Sequence, residues 1–103
     1  MKGYLLQILI EHGIKYKGKS LCSSIEHVCM ENGIHGATVF RAIEGYGKSH
    51  KIHHHGLFEK NEPVAIEIID TKENIEKILP VLKNILQELN TGLITLEEVE
   101  IVR

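Results

Sequence analysis

From Tyr4 to His12 the chain keeps a two-residue rhythm in which both phases are largely apolar. Tyr4, Leu6, Ile8 and Ile10 fall on one side, and Leu5, Gln7, Leu9 and Glu11 on the other, which is strand periodicity. A second such run, Val64 to Asp70, follows Pro63, a residue tolerated at the start of a strand. If Leu6, Ile8, Ile10, Val64, Ile66 and Ile68 meet a layer of helices, then Leu5, Leu9, Ala65 and Ile69 point away from it. Only Gln7, Glu11 and Glu67 interrupt that second face. A sheet covered on one side needs apolar residues on that side alone. The second apolar face therefore predicts a partner surface and a homo-oligomer built through the open face of the sheet.

The segments between these runs change period. Leu21, Ile25, Val28 and Cys29 recur at helical spacing, with Ser20 near the start and Gly33 as a C-terminal stop. Gly13 to Lys19 reads as a turn. Gly36 and Ala37 lead into a strand over Thr38–Ile43. Its phase is open: either Phe40 and Ala42 or Val39 and Ile43 join the uncovered face. Asp70 or Thr71 caps a second helix whose apolar face is Ile75, Ile78, Leu79, Leu82, Ile85, Leu86 and Leu89. Pro80 lies inside it, and a helix-interior proline costs ~3 kcal/mol, so a kink or break is expected near Leu79. Asn90 and Gly92 end the helix, and Leu93–Leu96 and Val99–Val102 read as short final strand segments. The order β-α-β-β-α-β predicts an α+β, ferredoxin-like sandwich over residues 1–103. In that fold a four-stranded antiparallel sheet carries two helices on one face.

Size and charge narrow the function. With 103 residues there is one domain and no cleft between two lobes. No apolar run approaches the ~18 residues of a membrane span. Met1-Lys2-Gly3-Tyr4 leads straight into a strand rather than a signal peptide, so a cytoplasmic protein is expected. The net charge of −2 gives no support for nucleic-acid binding. Cys22 and Cys29, seven residues apart on a helix, are separated by roughly 10.5 Å along its axis. That exceeds the reach of about 7 Å for a disulfide, so both read as small buried hydrophobes.

Two clusters carry possible chemistry. In Gly45-Tyr46-Gly47-Lys48 the glycines allow backbone N–H groups to curl towards an anion, and the lysine adds charge. The lysine spacing is wrong for a Walker loop and no helix follows. His50, His53, His54 and His55 are candidate ligands for a divalent metal, although adjacent histidines in an extended loop point apart. Glu44 and Glu67 read as ordinary charged strand positions. No serine sits in a nucleophile elbow. Val39-Phe40-Arg41 resembles the acylphosphatase signature, which however belongs to the loop after the first strand. No enzyme is expected.

The segments Gly36–Gly47, Ile52-His53, Pro63–Asp70, Leu79-Pro80 and Gly92–Thr95 together resemble an uncharacterised family of small bacterial and archaeal PII-like proteins. That family is similar to the PII signal-transduction proteins and more distantly to CutA. The resemblance implies a homotrimer with its sheets packed inward. It also implies that residues 45–61 are the counterpart of the PII T-loop, which contacts a partner such as a transporter or enzyme. Adenine nucleotides bind PII proteins between subunits, and the matching positions here are Thr38, Gly45, Gly47, Lys48, Gly92 and Arg103. Where PII carries a phosphate-binding lysine and a further arginine, this chain has Leu93 and Ile101. Loss of two cationic contacts weakens the case for full ATP affinity and suits a less charged nucleotide such as AMP, or a different anion, better. The segment has no tyrosine after Lys48, so loop uridylylation is not expected. The rival implied by the same resemblance is a CutA-like metal-binding trimer that uses His50 and His53–His55.

Overall fold

The computed structural model describes residues 1–46, 53–54 and 62–103. In chain order its elements are β1 (Lys2–Glu11), β2 (Lys15–Tyr16), β3 (Lys19–Ser20), α1 (Leu21–Glu31), β4 (Thr38–Arg41), β5 (Glu44–Gly45), β6 (His53–His54), β7 (Pro63–Thr71), α2 (Lys72–Leu89) and β8 (Leu93–Glu100). The main sheet runs β4-β7-β1-β8 and all its pairs are antiparallel. This is the expected ferredoxin-like order, with β1 and β7 in the centre.

Register decides which residues meet the helices. Leu6, Ile8, Ile66 and Ile68 are fully buried, while Leu9 and Ile69 are 38% and 54% exposed. The buried set packs against Leu21, Ile25 and Cys29 of α1 and Ile75, Ile78, Leu82, Ile85 and Leu86 of α2. Pairing of Phe40 with Ala65 puts Phe40 on the open face, which resolves the phase of β4 in favour of the Phe40 alternative. That face is striped. One row holds Phe40, Ala65, Leu9 and Leu93, the next Thr38, Glu67, Gln7 and Thr95, and a third Ile69, Leu5 and Glu97. Within the polar row Gln7 Nε2 donates to Glu67 Oε2 at 3.1 Å.

Local chemistry sets the element ends. Ser20 Oγ accepts from Ser23 N–H at 3.1 Å, and Thr71 Oγ1 accepts from Asn74 N–H at 3.2 Å, so each caps its helix. Gly33, at φ +78°, closes α1: Ile34 N–H donates to Cys29 O and Gly33 N–H to Met30 O. The Gly13–Lys19 turn contains a tight hairpin, β2 to β3. Lys17 and Gly18, at φ 50° and 82°, supply the two left-handed residues that such a two-residue loop requires.

Three expectations are corrected. The strand expected over Thr38–Ile43 ends at Arg41. Ala42 N–H donates to Pro63 O at 3.0 Å, but Pro63 has no N–H to return, so the ladder stops there. The two final strand segments are one continuous strand, because β1 offers an unbroken partner from Leu93 to Glu100. Pro80 does not break α2, which continues to Leu89. Pro80 and Glu76, whose carbonyl loses its partner, are both exposed, so water can satisfy that group.

Two positions give tests. A Cβ on Gly3 would lie 2.5 Å from the Asp70 backbone oxygen and would also collide with the Ile101 side chain. Gly3→Ala is expected to lower stability by about 1–3 kcal/mol in urea denaturation. Asp70, whose side chain is 2% exposed, accepts from His35 N–H and Nδ1 at 3.0 Å, Thr71 N–H at 2.7 Å and Asn74 Nδ2 at 2.9 Å. Burial alone would raise its pKa, but the bonds from His35, Asn74 and Thr71 outweigh it and hold the carboxyl well below the usual carboxylate range. A depressed folded pKa contributes stability above the unfolded value and loses it as pH falls. Wild-type stability should therefore drop below about pH 4, and Asp70→Asn should flatten that acid limb while lowering stability at neutral pH.

Candidate functional site

The strand pairing leaves a step at one end of the sheet. The last β1–β8 pair is Leu9 with Leu93, so Ile10 and Glu11 run on past the start of β8. A cleft of about 990 Å³ opens in that step. Leu9, Ile10, Ile94 and Leu96 form its sheet side, and Leu79, Lys83, Leu86 and Gln87 its wall on α2. Tyr46 and Pro63 reach it from the base of the 45–61 segment, and Asn90 to Gly92 close it. The size lies at the upper end of the range for small-molecule sites.

The closing turn depends on glycine. Asn90 caps α2 in the left-handed region at φ 49° and ψ 49°. Gly92 has φ +85°, and a Cβ there would sit 3.0 Å from Leu86 Cδ1. A side chain at Gly92 would thus be strained and would press on the cleft wall.

A half-buried ion pair lies where β4 ends and β7 begins. Glu62 is 2% exposed and accepts from the Arg41 guanidinium. The Glu62 carbonyl accepts from His12 N–H at 2.9 Å. The ends of β1, β4 and β7 are thereby tied together beside Tyr46. Gly45 pairs with His53, and a Cβ at Gly45 would lie 3.3 Å from Pro63 Cγ.

The structure places the residues singled out in the sequence unevenly. Gly92 lines the cleft, and Gly45 immediately precedes its Tyr46. Thr38 lies on the open sheet face opposite Glu67, away from the cleft. Arg103 follows β8 at the end of the sheet opposite Gly92. Gly47, Lys48, His50 and His55 lie outside the described residues, and His53 and His54 are described only as the β6 pairing segment. Among the described residues no group of three or more His, Cys, Asp or Glu could hold a metal ion. Sequence reasoning missed Lys83, Glu11 and Tyr46 as cleft residues. For Lys83 a signal existed: it stands four residues after Leu79 and three before Leu86, at the edge of the apolar stripe.

The thiols are shielded. Burial first, then the Glu26 carboxylate, pushes Cys22 and Cys29 up to about 11. Cys22 also donates to Glu26 Oε1 at 3.7 Å. Neither thiol should react with a disulfide reagent near pH 8 in the folded protein, and both should react once it is unfolded in urea.

The chain matches the DUF190 family, described as an uncharacterized ACR, over residues 3–101, and it belongs to that family. A UPF0166 protein of Aquifex aeolicus is 40% identical, covering 99% of this chain and 95% of the relative. A second UPF0166 protein, from Methanocaldococcus jannaschii, is 32% identical over 100% of this chain and 94% of its own length. Among solved structures, CPII of Thiomonas intermedia K12, a nitrogen regulatory PII-like protein bound to ADP, AMP and bicarbonate, superposes with a TM-score of 0.75. It shares 17% identity, with 100% of this chain and 91% of that one covered. A PII-like signaling protein of Thermus thermophilus gives 0.70 at 18% identity, covering 100% and 91%. The fold is PII-like. No helix among the described residues is long and apolar enough to cross a membrane.

Proposed function

We propose that this chain is a cytoplasmic, homotrimeric PII-like regulator that senses an adenine nucleotide in clefts between subunits, and that it is not an enzyme. The cleft at the stepped end of the sheet carries the reading. It joins the Gly92 turn to the base of the 45–61 segment, so a ligand there touches the segment that would engage a transporter or enzyme. The ADP and AMP held by the structurally similar CPII support the ligand class.

A trimer accounts for the scattered positions. Within one subunit β8 separates Gly92 from Arg103 by roughly 25 Å at strand rise. Arg103 and Thr38 would join Gly45, Gly47, Lys48 and Gly92 only from a neighbouring copy. The open sheet face, with Leu9, Phe40, Ile69 and Leu93 all exposed, supplies apolar surface for that contact. Its polar row, Gln7 to Glu67, would fix register by demanding matched partners on burial. Binding would act by population shift: the nucleotide must prefer one arrangement of residues 45–61 over another.

Light scattering followed by isothermal titration with AMP, ADP and ATP tests this. A trimer that binds saturably near one nucleotide per subunit, with AMP favoured, is the expected result. A folded trimer that gives no heat with any of the three would overturn the nucleotide reading. A folded monomer would overturn the assembly.

A further inference from the structure

We infer that Lys83 is the anion anchor of the α2 cleft, holding the phosphate of the nucleotide while Glu11 accepts a hydrogen bond from its ribose or base. This rests on the nucleotide reading above and names the residues that would select the ligand.

The cleft wall is one face of α2. Leu79, Lys83, Leu86, Gln87 and Asn90 follow one another at intervals of three and four, or side by side along that face. Of the cleft-lining residues from Leu79 to Leu86, Lys83 is the polar one. Among the described residues it is the one cation lining the cleft, and Glu11, at the overhanging end of β1, is the one carboxylate. Among the described residues neither makes an ion pair or hydrogen bond through its side chain, with the other or with any third group. Lys72, at the far end of the same helix, is by contrast engaged by Glu98 and lies 5.3 Å from the Tyr4 ring centroid.

An aliphatic cleft bearing one free cation and one free carboxylate favours a ligand with the complementary layout. That ligand has a flat, weakly polar body, one anionic group and at least one hydrogen-bond donor. A nucleoside monophosphate has these parts. Tyr46, 67% exposed at the loop base, offers a ring face for the body to stack on. A single lysine supplies one charge-assisted contact, which suits a short phosphate better than a triphosphate chain.

The test titrates adenosine, AMP and ATP into the full-length wild type and into Lys83→Gln, Lys83→Arg and the control Lys77→Gln. Lys83 and Lys77 are both exposed, so all three variants should fold. Lys83→Gln should weaken AMP by about ten-fold or more, the effect of losing one charged hydrogen bond, and leave adenosine unchanged. Lys83→Arg should retain most of the affinity, and Lys77→Gln all of it. Equal AMP affinity in wild type and Lys83→Gln would overturn the anchor and leave the nucleotide reading standing. Wild type that binds adenosine as tightly as AMP would do the same. Wild type that binds none of the three would overturn both.

Discussion

The pairing of β1 with its two neighbours governs the rest of the molecule. β1 is matched to β7 from Gly3–Thr71 to Glu11–Pro63 and to β8 from Lys2–Glu100 to Leu9–Leu93. A slip of one residue in either ladder would turn Leu6, Ile8 and Ile10 out of the core and bring Gln7 in. The same registers align Thr38, Glu67, Gln7 and Thr95 into the polar row of the open face. They also make β8 start two residues short of the end of β1, which creates the step where the cleft lies. One set of pairings thus fixes the core, the open surface and the candidate binding site together.

Two buried carboxylates secure the ends of β7, by different means. At its start Glu62 is neutralised by the Arg41 guanidinium, and its carbonyl holds His12. At its end Asp70 is surrounded by backbone and amide donors together with the His35 ring. Burying a charge without such partners costs far more than a lost hydrogen bond. Each carboxylate therefore demands that the segments supplying its donors be in place. At the Glu62 end the carboxylate holds Arg41 at the close of β4, and the backbone carbonyl of the same residue holds His12 just past β1, so the residues that flank the 45–61 segment are tied to one another. At the Asp70 end those segments are the α1–β4 connection and the first turn of α2, so the helices are held at the correct height on the sheet.

Much of this was legible in the sequence, for identifiable reasons. Strand alternation at Tyr4–Glu11 and Val64–Asp70 survives because one face of each strand packs into the core, and the stripe from Ile75 to Leu89 survives for the same reason. Ser20 and Gly33 act locally, so their capping roles can be read from their neighbours alone. The misses share a long-range cause. Where β4 stops depends on Pro63, more than twenty residues away, having no N–H to give. The continuity of β8 through Glu97 and Glu98 depends on β1 holding it. Pro80 is tolerated because that side of α2 faces water. In the site, Gly92 was singled out through the family resemblance and lines the cleft, whereas Lys83 and Glu11 become neighbours of one cleft only after α2 and β1 are docked.

The cleft and the open face would impose related demands on the proposed trimer. Polar and apolar rows alternate across the open face, so a flat hydrophobic contact would leave Glu67 and Gln7 facing apolar surface. In a ring of three copies each interface is head-to-tail, so the rows of one copy would have to meet matching polar and apolar groups on a different part of the next, which restricts the packing to one arrangement. An arrangement of that kind would also set which part of a neighbour stands beside the step between β1 and β8. Ligand affinity and assembly would then be linked: a nucleotide that bridges Lys83 on one subunit and groups on the next binds the assembled form better than the separated chain, and so stabilises it. Because Tyr46 lies at both the cleft and the root of the 45–61 segment, that binding energy would be delivered where a partner is proposed to engage. A ligand that contacted only the aliphatic floor would bind without favouring any state of the segment, and it would carry no signal.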